Sequence, residues 1–273
     1  MLNHNAICII GGYDLLSKSV FKELKSKYST VLFINLSETI YKDKNLYNYK
    51  IFELKKILDL LTSNRVRDVI FLGKLIRPNL LDFRNDGLVE KYIPSLYMAY
   101  KKGDGEVLKL VISIFKDHNF KVASLSKYTS EFMLGNLDVE NTYADKDILD
   151  IEKSCKLLNS LSKYDNAQSV VSVNGYIIAI EAVEGTDSML QRVKKLRKEL
   201  NQLDSMSGLL IKKPKTNQSK FIDLPVIGPK TIKLIREANL RGLAIDYKNT
   251  IIYNKKKVLE LIREFELIIY NTN

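Results

Sequence analysis

The sequence has too few cysteines and histidines for several common kinds of site. Its two cysteines, Cys8 and Cys155, lie far apart in 273 residues, which excludes a disulfide framework or zinc site and is typical of a reducing cytosol. His4 and His118 leave almost no material for a serine-type triad. No apolar run approaches the roughly twenty residues of a membrane span, and the first ten residues do not resemble a signal peptide. We therefore expect a cytoplasmic protein whose membrane contact, if any, is peripheral.

Positive charge is in excess, but it is not concentrated. Lys and Arg total 43 against 32 Asp and Glu, which gives a net charge of +11. Clustered basic residues would indicate nucleic-acid binding, whereas here the lysines are spread over every segment. We therefore predict no nucleic-acid partner. A partly basic surface also suits an anionic membrane or a nucleotide diphosphate.

The first half of the sequence alternates strands and helices in the rhythm of a parallel sheet. The pattern predicts strands at 6–10, 30–35, 68–72 and 120–123, with helices at 15–24, 53–62 and 106–116. Ligands of such sheets collect at the carboxyl ends of the strands, where Gly11, Gly12, Gly73 and Lys74 fall. The G-x-G-x-x-G dinucleotide fingerprint is absent, which weakens an NAD-dependent oxidoreductase as an alternative. Residues 87–100 predict an amphipathic helix that either packs in the core or meets acyl chains.

The hydrophobic pattern lapses between residues 131 and 143, which predicts a domain boundary. We predict an N-terminal Rossmann-like domain at 1–133 and a C-terminal α+β catalytic domain at 134–273. In the second domain, Asp145 is expected to cap a helix that runs to about residue 162. The pair Asn174-Gly175 predicts a type I′ hairpin turn between strands 170–173 and 176–182. Further strands are predicted at 208–211, 242–245, 250–253 and 266–270, with helices at 189–200, 231–239 and 256–265.

Residues that can carry chemistry are densest between positions 180 and 229. Glu181 and Glu184 follow the hairpin, and Thr186 or Asp187 is expected to cap the next helix, whose free N–H groups favour an anion. Carboxylates beside a phosphate-binding helix end make chemical sense mainly with a divalent cation between them. A capped surface helix with solvated acids is the alternative.

Two further predicted strand ends are followed by charged residues. Lysines follow one of them, and an aspartate follows the other. Lys212, Lys213 and Lys215 are compact charges suited to diphosphate oxygens. Asp223, before Leu224-Pro225, can hold a metal ion or orient a water for in-line attack. A solvated basic loop and an ordinary turn aspartate are the alternatives.

Strings in three stretches of the sequence, taken together, carry a resemblance to a known family. They are EGTDSMLQRVKKLR at 184–197, GLLIKKPK and FIDLPVIGPKT within 208–231, and GKLIRP at 73–78. In this order and spacing they resemble the UDP-2,3-diacylglucosamine pyrophosphatases of lipid A biosynthesis, of the type unrelated to calcineurin-like phosphoesterases. The resemblance covers nearly the whole chain. The loop at residues 13–16 departs from the family, which usually carries a third glycine and a Leu-Pro there.

The resemblance implies a magnesium-dependent hydrolase of two domains. Its substrate would be UDP-2,3-diacylglucosamine, and its products UMP and 2,3-diacylglucosamine 1-phosphate (lipid X). Asp223 would be essential for hydrolysis. From the residues themselves, we expect Glu184 and Asp187 to join it as catalytic residues that complete the Mg²⁺ shell. The expected substrate contacts are Gly11, Gly12, Lys74, Arg77, Asp104, Thr186, Lys212, Lys213 and Lys215.

The resemblance also implies a homodimer and a location at the inner face of the inner membrane. Two of the expected contacts have plain structural alternatives, because Arg77 can be an exposed loop arginine and Asp104 can simply cap a helix. For the whole chain, the alternative function is that of a noncatalytic nucleotide-sugar or lipid-binding protein.

Overall fold

The structure is a computed structural model of the 273-residue chain. It describes residues 3–73, 87–134, 144–164, 166–200, 206–215 and 224–272. The chain divides into two compact units, the first within Met1–Thr129 and the second within Ser130–Lys220 and Leu224–Asn273. The predicted boundary between residues 133 and 134 stays a prediction.

The first unit contains a five-stranded parallel sheet in the order β3-β2-β1-β4-β5. The strands are β1 (Asn3–Gly11), β2 (Tyr28–Asn35), β3 (Leu46–Asn48), β4 (Asp68–Phe71) and β5 (Lys121–Val122). The helices are α1 (Leu15–Lys27), α2 (Leu54–Ser63), α3 (Gly87–Glu90), α4 (Ile93–Lys102) and α5 (Asp104–Asp117).

The order of the strands reverses next to β1. The chain adds β2 and β3 on one side of β1 and then crosses to place β4 and β5 on the other side. Residues 7–10 of β1 are buried on both faces of the sheet, as expected for a central parallel strand. Ligands of open α/β sheets bind at such a switch point, outside the carboxyl ends of the strands.

The second unit is built on a mixed five-stranded sheet in the order β12-β10-β8-β6-β7. Its strands are β6 (Ser169–Val173), β7 (Tyr176–Ile180), β8 (Leu209–Lys212), β10 (Gly242–Ile245) and β12 (Ile268–Asn271). A separate parallel pair joins β9 (Val226–Ile227) to β11 (Ile251–Ile252). The helices are α6 (Asp145–Ser162), α7 (Gly185–Glu199), α8 (Pro229–Glu237) and α9 (Lys255–Glu264).

Helices cover both faces of this second sheet. Leu209 and Ile211 of β8 pack with Leu158 of α6, whereas Leu210 packs on the opposite face with residues of α7, α8 and α9. This alternation follows from the two-residue period of a strand. Together, the parallel sheet and the mixed sheet confirm the predicted fold class.

The predicted hairpin is confirmed, but several helix starts differ from prediction. Asn174 and Gly175 have φ of +50° and +84°, as a type I′ turn requires. Residues 87–100 form two helices because Pro94 favours the first turn of a new helix, α4. Asp145 lies one residue inside α6, and Ala144 precedes that helix as its N-cap residue. Within the described ranges, no helix is long and apolar enough to cross a membrane.

Candidate functional site

Three glycines in the first unit bring the ends of β1 and β4 into close contact. A Cβ atom on Gly11 would lie 1.8 Å from the carbonyl oxygen of Leu72, and one on Gly73 would lie 2.2 Å from that of Gly12. Only glycine fits a backbone approach this close. The predicted glycine turn is therefore present at the switch point between β1 and β4.

The helix that follows this turn already carries a carboxylate at its N-terminus. Asp14 is the N-cap of α1, and its Oδ1 accepts a hydrogen bond from the backbone N–H of Ser17 at 2.9 Å. The Ser17 hydroxyl donates to the carbonyl of Gly12 at 2.6 Å, which fixes the turn. A phosphate approaching the start of α1 would therefore face a negative charge in place of one of the free N–H groups.

In the second unit, one edge of the sheet gathers the residues that can carry chemistry. Since β8, β10 and β12 are parallel and β6 is antiparallel to β8, the ends of β8, β10 and β12 lie beside the start of β6. Ser169 begins β6 directly opposite Lys212, the last residue of β8. The end of β7 and the first turn of α7 complete this edge.

Four side chains at this edge form a hydrogen-bonded chain. The Lys212 ammonium donates to the hydroxyl of Thr186 at 2.5 Å, and that hydroxyl donates to Glu181 Oε1 at 3.0 Å. Ser169 donates to Glu181 Oε2 at 2.5 Å. Ser169, Thr186 and Lys212 are each at least nine-tenths buried. A buried ammonium is thus linked to a carboxylate through one hydroxyl group, as buried charges require a partner.

Lys212 and Lys213 point to opposite faces of the sheet. The Lys213 ammonium donates to Asn159 of α6 at 2.9 Å, whereas Lys212 contacts α7 on the other face. This follows from side-chain alternation at the end of a strand. The structure therefore does not bring these two predicted phosphate ligands together.

The first turn of α7 differs from the predicted cap. The helix begins at Gly185, after Glu184, so Thr186 and Asp187 lie inside the first turn. Neither acts as the predicted N-cap, because Thr186 bonds Glu181 and Lys212, and Asp187 bonds residues of α8.

Of the three carboxylates predicted to bind metal, the two that the structure describes, Asp187 and Glu184, are each paired with a cation. Asp187 accepts a hydrogen bond from the Thr231 hydroxyl at 2.9 Å and lies 3.2 Å from Lys230 Nζ. Exposed Glu184 lies 2.9 Å from Arg192. Hydrogen bonds from backbone N–H groups, and then the Arg192 guanidinium, hold the pKa of Glu184 below its ordinary value.

A magnesium site is not assembled from the described residues alone. These residues contain no group of three His, Cys, Asp or Glu side chains that could hold a metal ion. Carboxylate oxygens are nevertheless the ligands that Mg²⁺ uses, and it often takes only one or two of them together with substrate phosphates. Asp223, Lys74 and Arg77 lie outside the described residues, and so does the side chain of Asp104, the first residue of α5.

Sequence reasoning missed two residues of this edge. Ser169 was not considered because a serine at the start of an apolar strand carries no motif, and Thr231 was not recognised as a partner of Asp187. Pairing the predicted strand at 170–173 with the strand that ends near Lys212 would have pointed to Ser169.

These features define a two-unit α/β protein with a parallel Rossmann-like sheet first and a polar sheet edge in the second unit. The family model for the LpxI N-terminal domain matches residues 6–132, and that for the LpxI C-terminal domain matches residues 137–270. The chain belongs to the LpxI family. It is 29% identical over 220 residues to the UDP-2,3-diacylglucosamine pyrophosphatase LpxI of Caulobacter vibrioides. The aligned residues make up 80% of this chain and 78% of that protein.

Proposed function

We propose that the protein hydrolyses the diphosphate of UDP-2,3-diacylglucosamine in lipid A biosynthesis, with UMP and lipid X as products. Membership of the LpxI family over both units supports this reaction. The observation that carries it structurally is the buried Lys212 ammonium, which lies beside the first turn of α7. A fixed cation and a helix N-terminus are two groups that bind phosphate oxygens.

In the proposed reaction, a water molecule attacks one phosphorus of the diphosphate, and the bridging P–O bond breaks. Lys212 neutralises the charge that develops on the phosphate oxygens. Asp223 orients the attacking water and accepts its proton, and Thr186 places Lys212. Gly11 and Gly12 stay predicted substrate contacts, because Gly11 is required here for the close approach of the Leu72 carbonyl. Lys213 and Lys215 stay predictions, as do Lys74, Arg77 and Asp104.

We propose Mg²⁺ as the cofactor, with Asp223 as its principal ligand and Asp187 and Glu184 as the other candidate ligands. When bound, the ion would neutralise phosphate charge as a Lewis acid. To bind the ion, Asp187 would first have to leave Lys230, and Glu184 would have to leave Arg192. Both ion pairs are exposed, and exposed ion pairs contribute little to stability.

The first experiment is to measure UMP release from UDP-2,3-diacylglucosamine by the purified protein, with Mg²⁺ and with EDTA. We expect metal-dependent release, and a loss of at least about a hundredfold in Asp223→Ala. Asp59→Ala, which removes an exposed carboxylate from α2, is the control and should keep full activity. A folded protein that binds the substrate equally well with and without Mg²⁺, but releases no UMP, would be a noncatalytic binding protein.

We also propose that α4 and α5 form the surface that contacts the inner membrane. Tyr97 and Met98 of α4 are 50% and 55% exposed, and α4 has two lysines and no acidic residue. The Lys101 ammonium lies 4.4 Å from the centre of the Tyr97 ring. Aromatic and Met side chains flanked by lysines suit an interface of anionic phospholipid.

A groove of about 550 Å³ lies between these two helices. Its lining combines apolar side chains with two lysines, two serines and one acid, namely Pro94, Ser95, Met98, Ala99, Lys102, Glu106, Lys109, Leu110 and Ser113. An anionic lipid fits this groove if its acyl chain meets the apolar wall while its headgroup meets Lys102, since Lys109 already pairs with Glu106 at 2.6 Å. The cytoplasmic location and the homodimer stay predictions.

A further inference from the structure

We propose that Glu181 positions Lys212 for phosphate binding by acting through the hydroxyl of Thr186. This inference rests on the proposed function for its catalytic consequence, but the hydrogen-bonded chain itself is a separate property of the protein. It adds to the site a residue that lies outside the motif strings. Glu181 is here a positioning residue, not a catalytic one.

The direction of each hydrogen bond follows from what its groups can donate. An ammonium group can only donate, so the 2.5 Å contact with Thr186 uses the hydroxyl oxygen of Thr186 as acceptor. The hydroxyl proton of Thr186 is then directed to Glu181 Oε1 at 3.0 Å. The Ser169 hydroxyl donates to Oε2 of the same carboxylate. Only an ionised carboxylate accepts both hydroxyl protons without having to donate one.

Burial makes this arrangement stiff. Lys212 is 6% exposed and Thr186 is 8% exposed, while Ser169 is fully buried. Glu181 is also anchored by its backbone, because its N–H donates to the carbonyl of Ser169 at 3.0 Å. The carboxylate is thus held by the sheet edge, and it holds the Thr186 hydroxyl in the orientation that accepts from Lys212. A long, flexible lysine side chain is fixed in one place as a result.

The neighbouring carboxylates do not share this arrangement. Glu184 is exposed and pairs with Arg192, and Asp187 pairs with Thr231 and Lys230 of α8. Glu181 is therefore the carboxylate of this segment that the described contacts link to Lys212.

The test is a mutant cycle on the full-length protein, measured as kcat and KM for UMP release. We expect Glu181→Gln and Thr186→Val each to lower kcat/KM about a hundredfold, mainly through kcat, because a displaced lysine no longer meets the developing charge. Thr186→Ser keeps the hydroxyl and should retain most activity. Glu237→Gln removes an exposed carboxylate that pairs with Lys194 and should have no effect.

The decisive comparison uses a variant without the lysine. In a Lys212→Met background, adding Glu181→Gln should change kcat/KM by less than about twofold, because a group that acts through Lys212 has nothing left to position. Losses that multiply would show that Glu181 acts independently and would overturn the proposal. Thermal melting of each variant identifies any that lose activity through unfolding.

A second readout separates this proposal from the proposed function. The ¹⁵N–¹H signal of the Lys212 ammonium, assigned with Lys212→Arg, should be sharp in the wild type and in Thr186→Ser. It should shift or broaden in Glu181→Gln and Thr186→Val. An unchanged signal in both would overturn the positioning role. Absence of UMP release from a wild type that shows these signal changes would instead overturn the proposed function.

Discussion

Arg197 stabilises the second unit from inside the fold. Its guanidinium donates to the backbone carbonyls of Ser207, Ala238 and Asn239 at 2.8, 3.3 and 2.9 Å, and the side chain is 1% exposed. Burial lowers the pKa of this guanidinium, but arginine keeps its charge in proteins. One buried cation therefore satisfies the carbonyls that follow α8 and precede β8.

We expect Arg197→Met to lower the free energy of unfolding by about 3 kcal/mol, because it removes a buried cation that donates to three backbone carbonyls. Lys194→Met on the same helix removes an exposed ion pair with Glu237 and should cost less than about 0.5 kcal/mol. Urea unfolding followed by far-ultraviolet circular dichroism measures both. Equal and small losses would contradict the structural role of Arg197.

At the scale of elements, strand β8 shows what the sequence could and could not predict. Its apolar residues predicted a buried strand, and Asn174-Gly175 predicted the hairpin beside it, since these signals are local. The sheet faces to which Lys212 and Lys213 point could not be predicted. The strand was expected to end at Ile211, but it includes Lys212. Whether a lysine belongs to the strand decides whether its side chain follows the strand's alternation between the two faces.

The short strands β3 and β9 were beyond sequence reasoning, because they are too short to show a period. Strands β5 and β11 are equally short but lie within the predicted strands at 120–123 and 250–253. The pairing of all four depends on long-range contacts. The hydrogen-bonded chain of Ser169, Glu181, Thr186 and Lys212 also depends on long-range contacts. Its members come from three strand ends and one helix start, which only the register of the sheet brings together.

The surface of α4 gives a prediction at this scale. Replacing Tyr97 and Met98 together with serine should weaken binding to vesicles of phosphatidylcholine and phosphatidylglycerol about tenfold or more, because two apolar side chains no longer enter the interface. Sedimentation with the vesicles measures it. Tyr164→Ser is a matched control, since Tyr164 is 70% exposed and lies under Lys163, but in the second unit. An equal loss in the control would show that the binding is not specific to α4.

At the scale of the whole molecule, the net charge of +11 does not by itself indicate nucleic-acid binding. A basic protein attracts any polyanion, but strong binding to nucleic acid requires many phosphates to be met by one array of cations. Lysines here are distributed through both units, and several of them pair with acids, such as Lys27 with Glu23, Lys109 with Glu106 and Lys257 with Glu260. We therefore expect the excess charge to raise the general attraction to anions without forming a nucleic-acid site.

Random duplex DNA and anionic vesicles should thus respond differently to salt. The Debye length is about 8 Å at about 0.15 M salt. At this salt concentration we expect a Kd for random duplex DNA above about 10⁻⁴ M. Vesicle binding should persist, because the apolar side chains of α4 contribute a term that salt does not screen. Fluorescence anisotropy with a labelled duplex and vesicle sedimentation at the same salt concentrations make the comparison. Tight duplex binding with a steep salt dependence would require a clustered basic surface and would contradict the predicted absence of a nucleic-acid partner.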